Sequence, residues 1–322
     1  MNQKIWFGVF FITTLLIISA FIGLNQSSQL RFANEKIATL EKQVETHSNG
    51  DARQKLDEEP KEQTHVAKQA KLSQQIQQLN EKIKELETEL NKDTEQEKAK
   101  KKVFLTFDDG PSPLTNEILD ILNKRDVKAT FFTVGNMMEQ YPEIVKKTHG
   151  NGHMILPHSY SHNYGIYSTF DTFYKDFAKV ENVYQSILGI QAPPIFRFPG
   201  GSTNQSSFKY GGKQFMPNIT ADLRDHGYSY VDWNVISGDA TAISNKPDKM
   251  LEQVIKGSQN KDFVVALFHD IAPNKSTVKI LPAVIDFYQK NGYQFRTFRD
   301  VTLDEMDEMV KRGIVNKPIT DR

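Results

Sequence analysis

From residue 103 onward, short apolar runs alternate with helical patterns, and that alternation constrains the fold more than any other feature of the chain. Strands are expected at Val103 to Phe107, Ala129 to Val134, His153 to Leu156, Ile195 to Phe198, Tyr228 to Trp233, Phe263 to Phe268 and Tyr293 to Phe295. Helical spacing of the apolar residues predicts helices over Asn116 to Arg125, Pro142 to Lys147, Phe170 to Leu188, Asn218 to His226, Pro247 to Lys256, Lys279 to Lys290 and Thr302 to Arg312. Strands that alternate with helices build a parallel sheet. Residues 101–322 are therefore expected to form an α/β domain, an irregular (β/α)7 barrel whose chemistry lies at the carboxyl ends of its strands.

The first hundred residues differ in kind, since most aromatics, glycines and prolines lie beyond them. Ile5 to Leu24 carries no charge and at helical rise is just long enough to cross a hydrocarbon core of about 30 Å. Lys4 precedes it and Ser19-Ala20 is a poor cleavage site. Residues 1–26 are thus expected to be an uncleaved, single-pass signal anchor in the cell membrane that leaves the remainder outside; a cleaved signal peptide is the alternative. Residues 27–100 are expected to be a coiled-coil stalk. Leu30, Ala33, Ile37, Leu40 and Val44 form one heptad seam, and Leu72, Ile76, Leu79, Ile83, Leu86 and Leu90 form a second. His47 to Thr64, charged and poor in apolar residues, is a flexible break between them. The seams allow either a hairpin within one chain or self-association of two chains.

Forty basic and forty acidic residues leave no net charge, and no basic stripe with stacking aromatics is present, so nucleic acid is not an expected partner. The chain has no cysteine, which confines any metal site to His, Asp and Glu.

Two segments carry the strongest chemical signal. The expected strand Val103 to Phe107 runs into Asp108-Asp109-Gly110-Pro111, and about fifty residues later comes His158-Ser159-Tyr160-Ser161-His162. Adjacent carboxylates repel unless a cation or proton intervenes, and two histidines supply neutral nitrogen ligands for such a cation. One aspartate can then bind metal while the other handles protons. Pro157 argues against a helix presenting the two histidines. Alone, Asp-Asp-Gly-Pro is ordinary turn chemistry and His-x3-His a weak pattern, but the two together are much stronger.

Thr106 to Asp109, His158 to His162, Arg197-Phe198-Pro199-Gly200-Gly201, Asp232-Trp233-Asn234 and Leu267-Phe268-His269-Asp270 resemble, in order, the five motifs of the polysaccharide deacetylases, the NodB-homology domain of carbohydrate esterase family 4. The resemblance spans roughly residues 100 to 300 and is greatest to the peptidoglycan N-acetylglucosamine deacetylases. It implies a distorted (β/α)7 barrel and hydrolysis of an N-acetyl amide. Asp109, His158 and His162 are then the ligands of a divalent metal, zinc or a similar ion such as cobalt. Asp108 is the general base, Arg197 its partner, His269 the general acid, and Asp232 the carboxylate that holds His269 protonated. Trp233 and Leu267 would wall the acetyl methyl, and the N–H of Gly200 would complete the oxyanion hole.

Two departures from the family pattern stand out. Many relatives carry tyrosine where this chain has Gly200, so any contact from that ring to the sugar is lost. Leu156-Pro157 precedes His158 where Gly-Asn is commoner. Ser202 to Met216, rich in Gly, Ser and Asn, is expected to be a long surface loop beside the glycan groove. The expected substrate is an N-acetylated cell-wall glycan, foremost peptidoglycan N-acetylglucosamine. The alternatives are N-acetylmuramic acid, chitooligosaccharide, acetylated xylan, or a non-catalytic glycan-binding scaffold.

Overall fold

The structure, a computed structural model, describes residues 31, 33–42, 70–88 and 101–319. The chain divides into two compact units, Met1–Ala99 and Lys100–Arg322. In the first, residues 33–42 and 70–88 are helical, and Ala33, Ile37, Leu40 and Leu86, all on the expected heptad seams, are buried. The expected membrane span, the flexible break at 47–64 and the outer seam residues Leu30, Val44 and Leu90 lie outside the described residues. Among the described residues no helix is long and apolar enough to cross a membrane.

The second unit alternates strands and helices throughout. The strands are β1 (Lys101–Asp108), β2 (Thr130–Thr133), β3 (Met154–Pro157), β4 (Ile195–Phe196), β5 (Ser229–Tyr230), β6 (Val235–Ile236), β7 (Phe263–His269) and β8 (Tyr293–Arg296). Helices α1 (Thr115–Lys124), α2 (Gly135–Gln140), α3 (Pro142–Gly150), α4 (Phe170–Leu188), α5 (Phe215–Asp225), α6 (Pro247–Ser258), α7 (Lys275–Lys290) and α8 (Leu303–Lys311) fill the connections. Six strands form one parallel sheet, ordered β3-β2-β1-β7-β6, with β8 paired to β1; β4 and β5 form a second parallel pair. One edge of β1 is shared, because β8 pairs with residues 101–104 and β2 with residues 106–108. The Arg197 N–H donates to the Pro157 carbonyl at 3.1 Å and links the two sheets.

β1 and β7 carry the core. Successive strand residues point to opposite faces. Val103, Leu105 and Phe107 of β1, with Val264, Ala266 and Phe268 of β7, pack against α1, α6 and α7. Phe104 and Val265 point the other way, into a cluster with Phe132, Leu156 and Phe298. Asp108 and His269 are opposite each other in the register, at the carboxyl ends of these two central strands.

The expected strand Tyr228 to Trp233 is interrupted. Val231 bridges antiparallel to Val315, and the Asp232 N–H donates to the Ile314 carbonyl, so the segment after α8 takes the edge that a longer β5 would need. The chain then turns, and the Asn234 side chain stands in for a strand peptide against β7, donating to Phe263 O and accepting from the Val265 N–H. β6 follows as a separate strand that the sequence pattern does not announce. Ser202 to Met216 is likewise more ordered than a surface loop: it holds a 3-10 turn at Ser206–Lys209, and Ser202, Asn204 and Ser207 are buried.

Candidate active site

Asp108 ends the inward face of β1, and the pleat would send Asp109 to the opposite face. Asp109 instead adopts a left-handed backbone, φ 74°, and both carboxylates reach the same side. A non-glycine residue in this region is uncommon and costs backbone energy that its surroundings must offset. The Asp109 N–H is fixed on the Phe132 carbonyl at 3.1 Å. The histidine segment is also bent rather than helical, with Ser159 at φ 73° and His162 at φ 52°. The His158 N–H extends the ladder of β3 by donating to Thr133 O at 2.9 Å, and Ser159 Oγ accepts from the His162 N–H at 2.9 Å.

These turns bring together Asp109, His158 and His162, whose ligand atoms all lie within 4.8 Å of one another. Asp109 Oδ1 is 3.1 Å from His162 Nε2 and 3.5 Å from His158 Nε2, yet it is buried and accepts no hydrogen bond. A buried carboxylate oxygen without a donor is costly unless a cation meets it. His158 Nδ1 lies 2.8 Å from the Arg197 carbonyl, which can only accept, so Nδ1 carries the proton and Nε2 presents a lone pair toward Asp109. Two neutral nitrogens and one carboxylate suit zinc or a similar ion and leave coordination positions open. Burial alone would raise the Asp109 pKa, but when the two histidine rings are protonated and no cation stands between them, their charge and hydrogen bonding outweigh burial and hold this carboxyl well below the usual range. Burial works to lower the His162 pKa, and Asp109 reverses that and raises it.

Asp108 faces a different partner. Arg197 is fully buried, and its Nη1 donates to Asp108 Oδ1 at 2.7 Å and to Thr106 Oγ1 at 2.8 Å. Nε and Nη2 donate to the carbonyls of Val231 and Asp232 at 3.0 and 3.1 Å. The Phe132 ring covers the guanidinium, 4.0 Å from Cζ, and Trp233 lies further off at 5.4 Å. A buried cation held by this many acceptors is locked in orientation, and so is the carboxylate that it touches.

His269 is held by Asp239 and not, as expected, by Asp232. His269 Nδ1 lies 2.8 Å from Asp239 Oδ1, its N–H donates to Asp239 Oδ2 at 2.7 Å, and Thr277 Oγ1 donates to the same oxygen at 2.9 Å. Burial lowers the His269 pKa, but Asp239, aided by the more distant Asp108 and Asp109, overcomes this and raises it to about 9. Asp239 was invisible to motif reading because it follows the unannounced strand β6; the one signal was Gly238, whose φ of 82° makes the turn that returns the chain to β7. Asp232 serves another loop. Its Oδ1 accepts from the Ser202 N–H at 2.8 Å, and Ser202 Oγ donates to its Oδ2.

The turn Phe198 to Gly201 is closed by a 2.8 Å bond from the Gly201 N–H to Phe198 O, with Pro199 second and Gly200 third at φ 75°, a type II arrangement. The buried Tyr167 hydroxyl donates to Pro199 O at 2.8 Å. In a trans peptide the Gly200 N–H then points to the opposite side, and it meets no acceptor among the described residues. Leu267 shares the inward face of β7 with His269, and Trp233 closes on Gly201, where a Cβ would stand 2.9 Å from Trp233 Cη2.

Residues 95–217 match the family model described as polysaccharide deacetylase. A peptidoglycan-N-acetylglucosamine deacetylase of Bacillus cereus is 29% identical over 210 residues, 63% of this chain and 71% of its own. The catalytic domain of peptidoglycan N-acetylglucosamine deacetylase from Eubacterium rectale is similar in structure, with a TM-score of 0.58 and 34% identity over 64% of this chain and 90% of its own. The polysaccharide deacetylase Bc1974 from Bacillus cereus gives a TM-score of 0.53 at 26% identity, covering 62% and 93%. Shared sequence and shared fold over nearly the whole of these domains make the chain a member of the polysaccharide deacetylase family, the hydrolases that cleave amide bonds of acetylated glycans.

Proposed function

We propose that the protein removes N-acetyl groups from peptidoglycan N-acetylglucosamine in a metal-dependent reaction outside the cell membrane, held there by residues 1–26 and a stalk of residues 27–100. The observation that carries the metal reading is the partnerless buried Oδ1 of Asp109 among the two histidine nitrogens. Asp109, His158 and His162 would hold a divalent cation, zinc or cobalt by the donor set, and that charge would serve to polarise the acetyl carbonyl and acidify water. The relatives above, named for N-acetylglucosamine, favour that sugar over N-acetylmuramic acid.

The protein's own groups divide the work. Asp108, oriented by Arg197, accepts a proton from the attacking water as its oxygen bonds to the carbonyl carbon. The Gly200 N–H donates to the oxyanion, and Leu267 and Trp233 enclose the acetyl methyl. His269, charged through its contact with Asp239, gives a proton to the nitrogen as the carbon–nitrogen bond breaks, so that acetate and a free amine leave.

Mass spectrometry of peptidoglycan fragments and chitooligosaccharides after incubation tests both reaction and sugar. Loss of acetyl mass confined to N-acetylglucosamine is the expected result, abolished by chelation and restored by zinc or cobalt. Undiminished turnover by verified metal-free protein would falsify the metal assignment.

A further inference from the structure

Tyr164 and Tyr167 stand three residues apart in the 3-10 helix Tyr164–Ser168, where side chains at that spacing eclipse one another. Both face the Phe198–Gly201 turn, with ring centroids 6.1 Å apart. Tyr167 is buried and grips Pro199 O from below. Tyr164 is half-buried, and its hydroxyl oxygen lies 3.0 Å, its Cε1 3.2 Å, from the point where a Cβ on Gly200 would stand. On its other side, its ring meets that of His162 edge-on, with centroids 6.0 Å apart and planes at 70°. The Asn163 side chain caps this helix by accepting from the Gly165 N–H at 2.7 Å, which fixes the backbone from which Tyr164 projects.

The Tyr164 hydroxyl makes no hydrogen bond among the described residues. A phenol with an unused donor and acceptor is thus held between a candidate metal ligand and the peptide whose N–H is the candidate oxyanion donor. On the proposed reaction, the acetamide of a bound sugar would lie between the cation that His162 helps to hold and the Gly200 N–H. The substituents next to an acetamide on a pyranose are hydroxyls, which match a phenol hydroxyl in donating and accepting, and the phenol ring offers an apolar face to sugar C–H groups.

We propose that Tyr164 is a substrate-binding residue that hydrogen-bonds a ring hydroxyl of the acetylated hexosamine, in the space that Gly200 leaves open by having no side chain. The inference rests on the deacetylase reading and names a contact beyond the groups that process the acetyl. It explains why position 200 is glycine on two counts, since any side chain there would meet Tyr164 and would also strain the left-handed φ.

The test compares the full-length protein with Tyr164→Phe and Gly200→Ala, using the N-acetylglucosamine tetramer and 4-nitrophenyl acetate, which has no sugar. Loss of one such hydrogen bond is worth about tenfold. Tyr164→Phe is expected to raise KM for the tetramer about tenfold with most of that loss absent on the ester, and Gly200→Ala, which displaces the ring, is expected to weaken the tetramer at least as much. Equal kinetics of wild type and Tyr164→Phe on the tetramer, or equal losses on both substrates, would overturn the assignment. Calorimetric binding of the tetramer to metal-stripped protein separates this inference from the functional one. A wild type that binds the tetramer when stripped yet releases no acetate from it when reloaded with zinc or cobalt defeats the deacetylase reading alone, and Tyr164 then stands if phenylalanine weakens that binding about tenfold. It falls if binding is unchanged, or if the wild type does not bind.

Discussion

His269 and Asp239 meet through two hydrogen bonds, and that pairing fixes the sign of the alkaline limb of activity. The proposed acid must be protonated, so kcat/KM falls as pH rises through its pKa, which the structure places at about 9. A cation bound beside Asp109 would cancel part of the distant carboxylate contribution and lower this limb, whereas the direct contact with Asp239 would persist. Asp239→Asn should therefore move the alkaline limb down by at least about one unit, since the remaining large influence, burial, favours neutral imidazole. Asp232→Asn should leave the limb in place and lower kcat instead, because Asp232 anchors Ser202 beside the Phe198–Gly201 turn that carries the proposed oxyanion donor. Profiles of kcat/KM against pH with metal content measured at each point decide it, and a limb that moved in Asp232→Asn alone would reverse the assignment. At this scale motif order revealed Asp108, Asp109, His158, His162, Arg197 and His269 as residues to watch. It could not reveal Asp239, whose place depends on a two-residue strand, nor the left-handed Asp109 that lets adjacent carboxylates share one side.

The central strands were legible as elements because each is an apolar run long enough to be buried on both faces, and the two-residue period assigns each side chain to its face without further information. Short elements were not. β5 and β6 have two residues each, too few for any period, and their ends are set by the segment after α8 and by the Asn234 side chain. The joint between β1 and α1 depends equally on distant partners. Asp270, directly after β7, is fully buried and accepts from Ser112 Oγ at 2.8 Å and Thr115 Oγ1 at 2.5 Å, and burial raises its pKa to about 6. A Cβ on Gly110 would lie 2.4 Å from Asp270 Oδ2 and 2.8 Å from its Cγ. Asp270 cannot retreat without losing both hydroxyl donors, so Gly110→Ala should cost about 2 kcal/mol, the usual range for overpacking, and lower Tm by on the order of 5 °C. Zinc affinity should fall as well, because Gly110 adjoins Asp109. Thermal melts with and without zinc measure both effects, and a melting temperature equal to wild type would show that the joint yields more easily than its contacts imply.

For the molecule as a whole, the described site residues all lie in the unit Lys100–Arg322, and the stability of that unit bounds the pH range in which the chemistry can run. His153 makes that unit sensitive to mild acid. It is fully buried; its Nδ1 accepts from the Ala129 N–H at 3.1 Å, so Nε2 carries the proton and has no partner. Burial, reinforced by Lys128 and Arg299, pushes its pKa down to about 4 from an ordinary 6.5. The folded state therefore prefers neutral imidazole more strongly than the unfolded chain does. Above pH 6.5 neither state is protonated and His153 costs nothing; between 6.5 and about 4 the unfolded chain binds the extra proton, and stability declines as pH falls. A shift of this size corresponds to about 3 kcal/mol, a large share of the roughly 5–15 kcal/mol that holds a domain folded. Asparagine at 153 offers an acceptor to the Ala129 N–H and cannot be protonated. His153→Asn should be less stable than wild type at pH 7 through lost packing, yet lose about 3 kcal/mol less between pH 7 and pH 4. Urea unfolding of both proteins at a series of pH values isolates the difference from all other titrating groups, and parallel curves would mean that His153 is protonated in the native state without penalty.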